Sequence, residues 1–116
     1  MKRDDDYIRT LLIEAEASND PYILALMTLK PSEDKLRRHV HAEWLADAGF
    51  FLEVNNGVFR ITNQGHDYLA AIRNDTVWAK TKEGAAKVGG VTLNMMKDIA
   101  VSYLKKEIAE KTGLDL

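Results

Sequence analysis

Apolar side chains recur at helical spacing from the start of the chain: Ile8, Leu11, Leu12 and Ala15 share one face of a helix. Asp4, Asp5 and Asp6 stand just before them, where carboxylates accept free backbone amides and complement the positive end of the helix dipole. Ser18-Asn19-Asp20-Pro21 ends the pattern. Residues 22–29 are a short apolar run without a polar face, read here as a small buried strand rather than a helical turn. Periodicity resumes at Ser32, a natural cap followed by Glu33 and Asp34. It predicts a buried stripe of Leu36, Val40, Trp44, Leu45 and Ala48 that Gly49 terminates.

Two strands follow, and Asn56-Gly57 between them favours a two-residue turn. That turn sets Val54 opposite Phe59 and Leu52 opposite Ile61 on an inner side, with Glu53 opposite Arg60 on the outer side. Thr62 then caps a helix with the stripe Gly65, Tyr68, Leu69 and Ile72. Asp75 opens another, with Val77, Trp78, Thr81, Ala85 and Val88 facing inward until Gly89-Gly90. Thr92 opens the last helix, whose apolar positions spread over about 200° of the wheel, wider than one stripe. The expected fold is mainly α with a small antiparallel β-hairpin: a winged helix-turn-helix with additional C-terminal helices. Residues 1–73 form the winged core and 75–112 the helical extension of a single domain, 1–116.

Composition narrows the class. With 116 residues, 46% of them hydrophobic, the chain suits one buried core. There is no cysteine, so disulfides and thiolate zinc sites are excluded, which fits a reducing cytoplasm. No apolar run approaches the ~20 residues that cross a bilayer, and aspartates occupy the place of a signal peptide's apolar region. A soluble, cytoplasmic protein without membrane partners is expected.

Winged helices hold DNA or proteins, and the cations decide which reading to test. Lys35, Arg37, Arg38 and His39 lie near the start of the helix in the recognition position, where donors reach phosphates or guanine. Arg60 and, further on, Lys80, Lys82 and Lys87 complete the candidate nucleic-acid set. Against them, the chain carries 16 Lys+Arg and 18 Asp+Glu, residues 30–60 hold as many acids as bases, and the tip Asn55-Asn56-Gly57 brings no cation to a minor groove. Trp78 sits at stripe spacing and reads as core rather than a base-stacking platform.

Catalytic chemistry finds little footing. His39 and His41 point to different sides of a helix, His39 and Glu43 lack a third metal ligand, and no phosphate loop, dinucleotide motif or nucleophile elbow is present. His66, beside Gly65, reads as structural. No enzyme activity, metal or cofactor is expected.

Met1-Lys2-Arg3-Asp4, Ile8-Arg9, His41, Asp47-Ala48-Gly49, Ile61-Thr62, Gly65-His66, Leu69, the block from Ile72 through Arg73-Asn74-Asp75-Thr76-Val77-Trp78-Ala79-Lys80-Thr81-Lys82, and Val88-Gly89-Gly90 are similar to a family. The chain resembles uncharacterised phage and prophage proteins catalogued as a domain of unknown function. It departs from them at Ala42 and Trp44, where leucine-like residues are expected. The resemblance implies a winged helix and a mobile-element context, and no activity. Two readings stand: a non-enzymatic module of phage or prophage origin that binds double-stranded DNA, or a protein-interaction module that modulates host machinery or inhibits a host defence system. A homodimer is expected, paired through Leu93, Met96, Ala100, Tyr103, Leu104 and Ile108 of the last helix.

Overall fold

Short polar side chains set the helix starts. In the computed structural model, which describes residues 1–115, Asp4 accepts from the Tyr7 amide and opens α1 (Asp5–Ala17). Ser18-Asn19-Asp20-Pro21 leads into β1 (Tyr22–Leu24), so the first part of the apolar run is a strand. Ser32 accepts from the Lys35 amide and opens α2 (Glu33–Asp47). The hairpin strands are β2 (Phe51–Asn55) and β3 (Val58–Ile61). Thr62 Oγ1 accepts from the Gly65 amide at the head of α3 (Asn63–Ile72). α4 (Asp75–Lys87) is capped by Asn74, whose Oδ1 receives the Thr76 and Val77 amides, one residue earlier than expected. Thr92 opens α5 (Leu93–Thr112). The chain is mainly helical with a small antiparallel sheet in the order β1-β3-β2. It forms two compact units, Met1–His66 and Asp67–Leu116, with the boundary inside α3.

In the first unit α1 packs on α2 and β3, and α2 on β2. Ile8, Leu11, Leu12, Ile23, Ala42, Leu45, Phe50, Phe51 and Phe59 are its buried apolar residues of greatest weight. Removing them from water drives its folding, at roughly 1.5–3 kcal/mol for each large side chain. α2 is turned relative to the expected stripe. His41, Ala42 and Leu45 are buried, whereas Leu36, Val40, Trp44 and Ala48 are only half-buried. The rotation places an imidazole in the interior, a position that a count of apolar residues assigns to solvent.

The hairpin also departs from the simple register, for a local reason. Asn55 pairs with Val58 across Asn56-Gly57, as the two-residue turn requires, and Gly57 takes φ +68°. Beyond the turn the register shifts by one: Glu53 faces Phe59, Leu52 faces Arg60 and Phe51 faces Ile61. Val54, between Glu53 and Asn55, is the extra residue of a β-bulge. A one-residue slip exchanges the two faces of a strand. Phe51 thus joins Phe59 inside, their ring centroids 6.1 Å apart, and Leu52 and Val54 are exposed. The Glu53 carboxylate, no longer opposite Arg60, accepts the Gly57 amide at 3.0 Å. On the other side β1 pairs Tyr22 with Arg60, Ile23 with Phe59 and Leu24 with Val58. Phe59 is therefore inward from both directions.

The second unit pairs α4 with α5. Val77, Trp78, Thr81 and Ala85 of α4 and Leu93, Met96 and Ala100 of α5 are buried, which makes Trp78 a core residue. Val88 follows the end of α4 and is exposed at 69% rather than inward.

Gly65 marks the tightest approach in the first unit. A Cβ there would stand 2.2 Å from the Phe50 carbonyl oxygen and 2.7 Å from Ile61 Cγ1. The neighbour at fault is backbone, which cannot swing aside. Gly65→Ala is expected to cost about 1–3 kcal/mol of stability, read as a lower urea midpoint; a midpoint equal to wild type would contradict this close approach.

Candidate functional site

The cationic cluster near the start of α2 is assembled by the fold, but its side chains turn toward their own unit. Arg37 Nη2 reaches Asp4 Oδ2 at 2.5 Å, and its guanidinium lies 4.1 Å above the Tyr7 ring. Arg38 sets its fork on the Glu14 carboxylate at 2.9 and 2.5 Å, while its Nε donates to the Leu24 carbonyl at 2.7 Å. This hydrogen bonding to Arg38 holds the Glu14 carboxyl below its ordinary range, with partial burial opposing. The bond to Glu14 likewise raises the Arg38 guanidinium. His39 places Nδ1 against the Ala25 carbonyl at 2.6 Å and Nε2 against the Glu43 carboxylate. Both neighbours are acceptors, so only the doubly protonated ring donates to each. Lys35 is exposed in the first turn. Arg60 lies on the central strand, exposed, with Nη1 donating to the Ile61 carbonyl at 3.3 Å.

What α2 shows to solvent is different in sign. Its exposed residues are Glu33, Asp34, Lys35, Glu43 and Asp47, four carboxylates against one ammonium. Anionic phosphates approaching that side meet repulsion from most of its charges.

Asp4 and His41, far apart in the chain, meet at the α1–α2 junction. His41 is 1% exposed. Its Nε2 accepts the Asp4 amide at 3.0 Å, and its Nδ1 lies 2.8 Å from the Arg37 carbonyl. The first contact requires an unprotonated Nε2 and the second a proton on Nδ1, which defines the neutral Nδ1–H tautomer. Tyr7 and Trp44 flank the ring edge-on, each at 4.9 Å between centroids. This accounts for Trp44: it packs on His41 rather than filling a leucine position. A cleft of ≈ 430 Å³ opens beside this cluster, lined by Met1, Lys2, Asp4, Glu33, Leu36, Arg37 and His41. A second, of ≈ 470 Å³, is lined by Leu26, Met27, His39, Glu43, Glu53, Asn56 and Gly57. His39 and Glu43 engage each other there, and among the described residues no group of three His, Cys, Asp or Glu is placed to hold a metal ion. His66, expected to pack or hydrogen-bond beside Gly65, is nearly half exposed, with Nδ1 3.6 Å from Glu16.

The later cations belong to the second unit. Lys80 lies 3.6 Å from Glu107, Lys87 3.6 Å from Glu83, and the Lys82 ammonium 5.4 Å from the centre of the Trp78 ring. Of the expected dimer residues, Leu93, Met96 and Ala100 are buried within the protomer, while Tyr103, Leu104 and Ile108 are half-buried. Tyr103 reaches α4 at Gly84. Of the six residues expected at an interface, only Tyr103, Leu104 and Ile108 are therefore partly accessible. Asp4 and Glu14, which engage the α2 arginines, carried no sequence signal as partners.

A family model described as "Hypothetical protein (DUF2513)" matches residues 2–92. The chain belongs to the DUF2513 family. The match runs from the residues around Asp4 to Thr92, the cap of α5, and includes every residue of the Asp4–His41 junction. The chain is also 27% identical to an uncharacterized protein of Haemophilus influenzae over 118 residues, covering 94% of this chain and 100% of the relative. No solved structure matches it significantly. Among the described residues of this DUF2513 chain, no helix is long and apolar enough to cross a membrane.

Because the Glu14 carboxyl is held below its ordinary 4.5 in the fold, the unfolded chain binds the proton first as pH falls. The contribution of the pair is complete above that value and is lost as pH drops through the lowered one. Urea melts of wild type and Glu14→Gln are expected to differ at about pH 7 and to converge in acid; a gap that persists unchanged into acid would contradict the assignment. For His41, 15N spectra are expected to show the Nδ1–H tautomer. His41→Phe, which orphans the Asp4 amide, is expected to lose about 1–3 kcal/mol; an Nε2–H ring would overturn the hydrogen-bond pattern.

Proposed function

We propose that the protein is a non-enzymatic winged-helix binding module of phage or prophage origin whose partner is a protein rather than duplex DNA. One observation carries the choice. The helix at the recognition position exposes Glu33, Asp34, Glu43 and Asp47 beside Lys35, and its partly exposed Arg37 and Arg38 are engaged by Asp4 and Glu14. Neutralising several phosphates needs a basic stripe, because release of condensed counterions from DNA supplies most of that affinity. Freeing the two arginines for DNA would break the ties of α2 to α1 and leave their carboxylates facing the incoming phosphates. The order α1, β1, α2, β2, β3 and the tight turn at Asn56-Gly57 support the winged-helix description, and the resemblance noted in the sequence supports a mobile-element origin.

Under this reading, anisotropy titrations with labelled duplexes of mixed sequence are expected to show no binding even at about 50 mM salt. Affinity purification from a bacterial host is expected to return one protein at fixed stoichiometry. Duplex binding that weakens steeply with salt and is lost on combining Arg37→Ala with Arg38→Ala would overturn the reading in favour of DNA.

A further inference from the structure

The outer face of the sheet in the first unit is apolar around a single charge. Register places Tyr22, Arg60 and Leu52 in one row across β1, β3 and β2, with Leu24, Val58 and the polar Asn55 in the next. Tyr22 is 46% exposed, Leu24 57% and Leu52 47%. Past the end of β1, Leu26 and Met27 are about half exposed but border the carboxylates of Glu43 and Glu53, with the Leu26 side chain lying against the turn at Gly57, so the apolar face proper is the part on the strands. Isolated exposed apolar residues are ordinary on a protein surface; a contiguous set on one sheet face points to an interaction site. Among the described residues no carboxylate pairs with Arg60, whose guanidinium reaches only a neighbouring carbonyl.

Charge selects the occupant. Covering this face removes Arg60 from water, and a guanidinium so covered needs an anionic, hydrogen-bonding partner. A second copy docked about a two-fold axis through the centre of the face would bring Arg60 against Arg60, since an isologous contact repeats each residue on both sides. A nucleic acid would gain one cation and place its phosphates on leucine and tyrosine. A polypeptide segment with apolar side chains around one aspartate or glutamate satisfies both features at once, with bidentate geometry available to the carboxylate. We propose that the outer face of the β1-β3-β2 sheet, with Tyr22, Leu24 and Leu52 around Arg60, docks an acidic–apolar segment of another protein. The proposal rests on the protein-binding reading above and names its surface and partner chemistry.

A display library of random peptides, selected on the full chain, tests it. Wild type is expected to enrich peptides that set Asp or Glu among apolar residues. Binding of the leading peptide, read by anisotropy, is expected to fall at least about thirtyfold in Arg60→Glu and to be lost in Leu52→Asp. Replacing the peptide's acid by Lys is expected to restore binding to Arg60→Glu. Leu52 and Arg60 are exposed, and thermal melts verify that the variants fold; Arg60→Gln, which keeps the side-chain stem, replaces the reversal if that variant does not. Three results would overturn the docking face: no enriched peptide, enrichment without an acid preference, or binding indifferent to Leu52→Asp. Enrichment of basic peptides that are lost on Glu43→Lys would overturn this face while leaving the protein-binding reading intact, its partner meeting α2 instead. Absence of both an enriched peptide and a co-purifying protein would remove the two together.

Discussion

Arg38 holds α2 to two other elements through one guanidinium, which grips the Glu14 carboxylate of α1 and the backbone of β1 at Leu24. An exposed ion pair adds ~0–1 kcal/mol to stability, far less than the burial of Ile8, Leu11, Leu45 and Phe59 supplies. Its value is in orientation. With Arg37 on Asp4 and His41 accepting the Asp4 amide, the rotation of α2 about its own axis is set by three directional contacts. That rotation sends Ala42 and Leu45 inward and leaves Glu33, Asp34, Glu43 and Asp47 on the outside. The sign of the charge on the exposed side of α2 thus follows from which of its side chains the interior has already engaged.

Helix starts were legible because a cap involves only its next few neighbours. Asp4, Ser32 and Thr92 each accept an amide three residues on, and nothing remote can change that geometry much. The face of α1 was equally plain, since Ile8, Leu11, Leu12 and Ala15 are all buried. The hairpin was half legible. Asn56-Gly57 named the turn, but the bulge at Val54 goes with Phe51, rather than Leu52 and Val54, turning inward beside Phe59, a choice the turn residues do not carry. His41 escaped for a related reason: its burial is acceptable only because Asp4 and Arg37 satisfy both of its nitrogens, and polarity alone argues against it.

Of the candidate site, residue types were readable and partners were not. Arg37, Arg38 and His39 do lie together at the start of α2, as their spacing required. Apart from Glu43, four residues beyond His39, their acceptors come from positions 4, 14, 24 and 25, and no local pattern couples those segments. The apolar outer face stayed hidden because the regular register would have turned Leu52 and Val54 inward. One inserted residue converted two expected core side chains into surface.

β1 gives the first unit its most economical joint. It is three residues long and lies at a sheet edge, so few backbone bonds retain it, and its pairing with β3 closes a long loop whose entropy opposes it. Yet Leu24 and Ala25 supply the carbonyls that Arg38 and His39 hold, and Ala25 donates to the Gly57 carbonyl at the hairpin turn. Fraying of this edge would slacken the grip on α2 and disperse Tyr22 and Leu24 in the same event. Helix orientation and sheet surface therefore share one support, the short edge strand that both lean on.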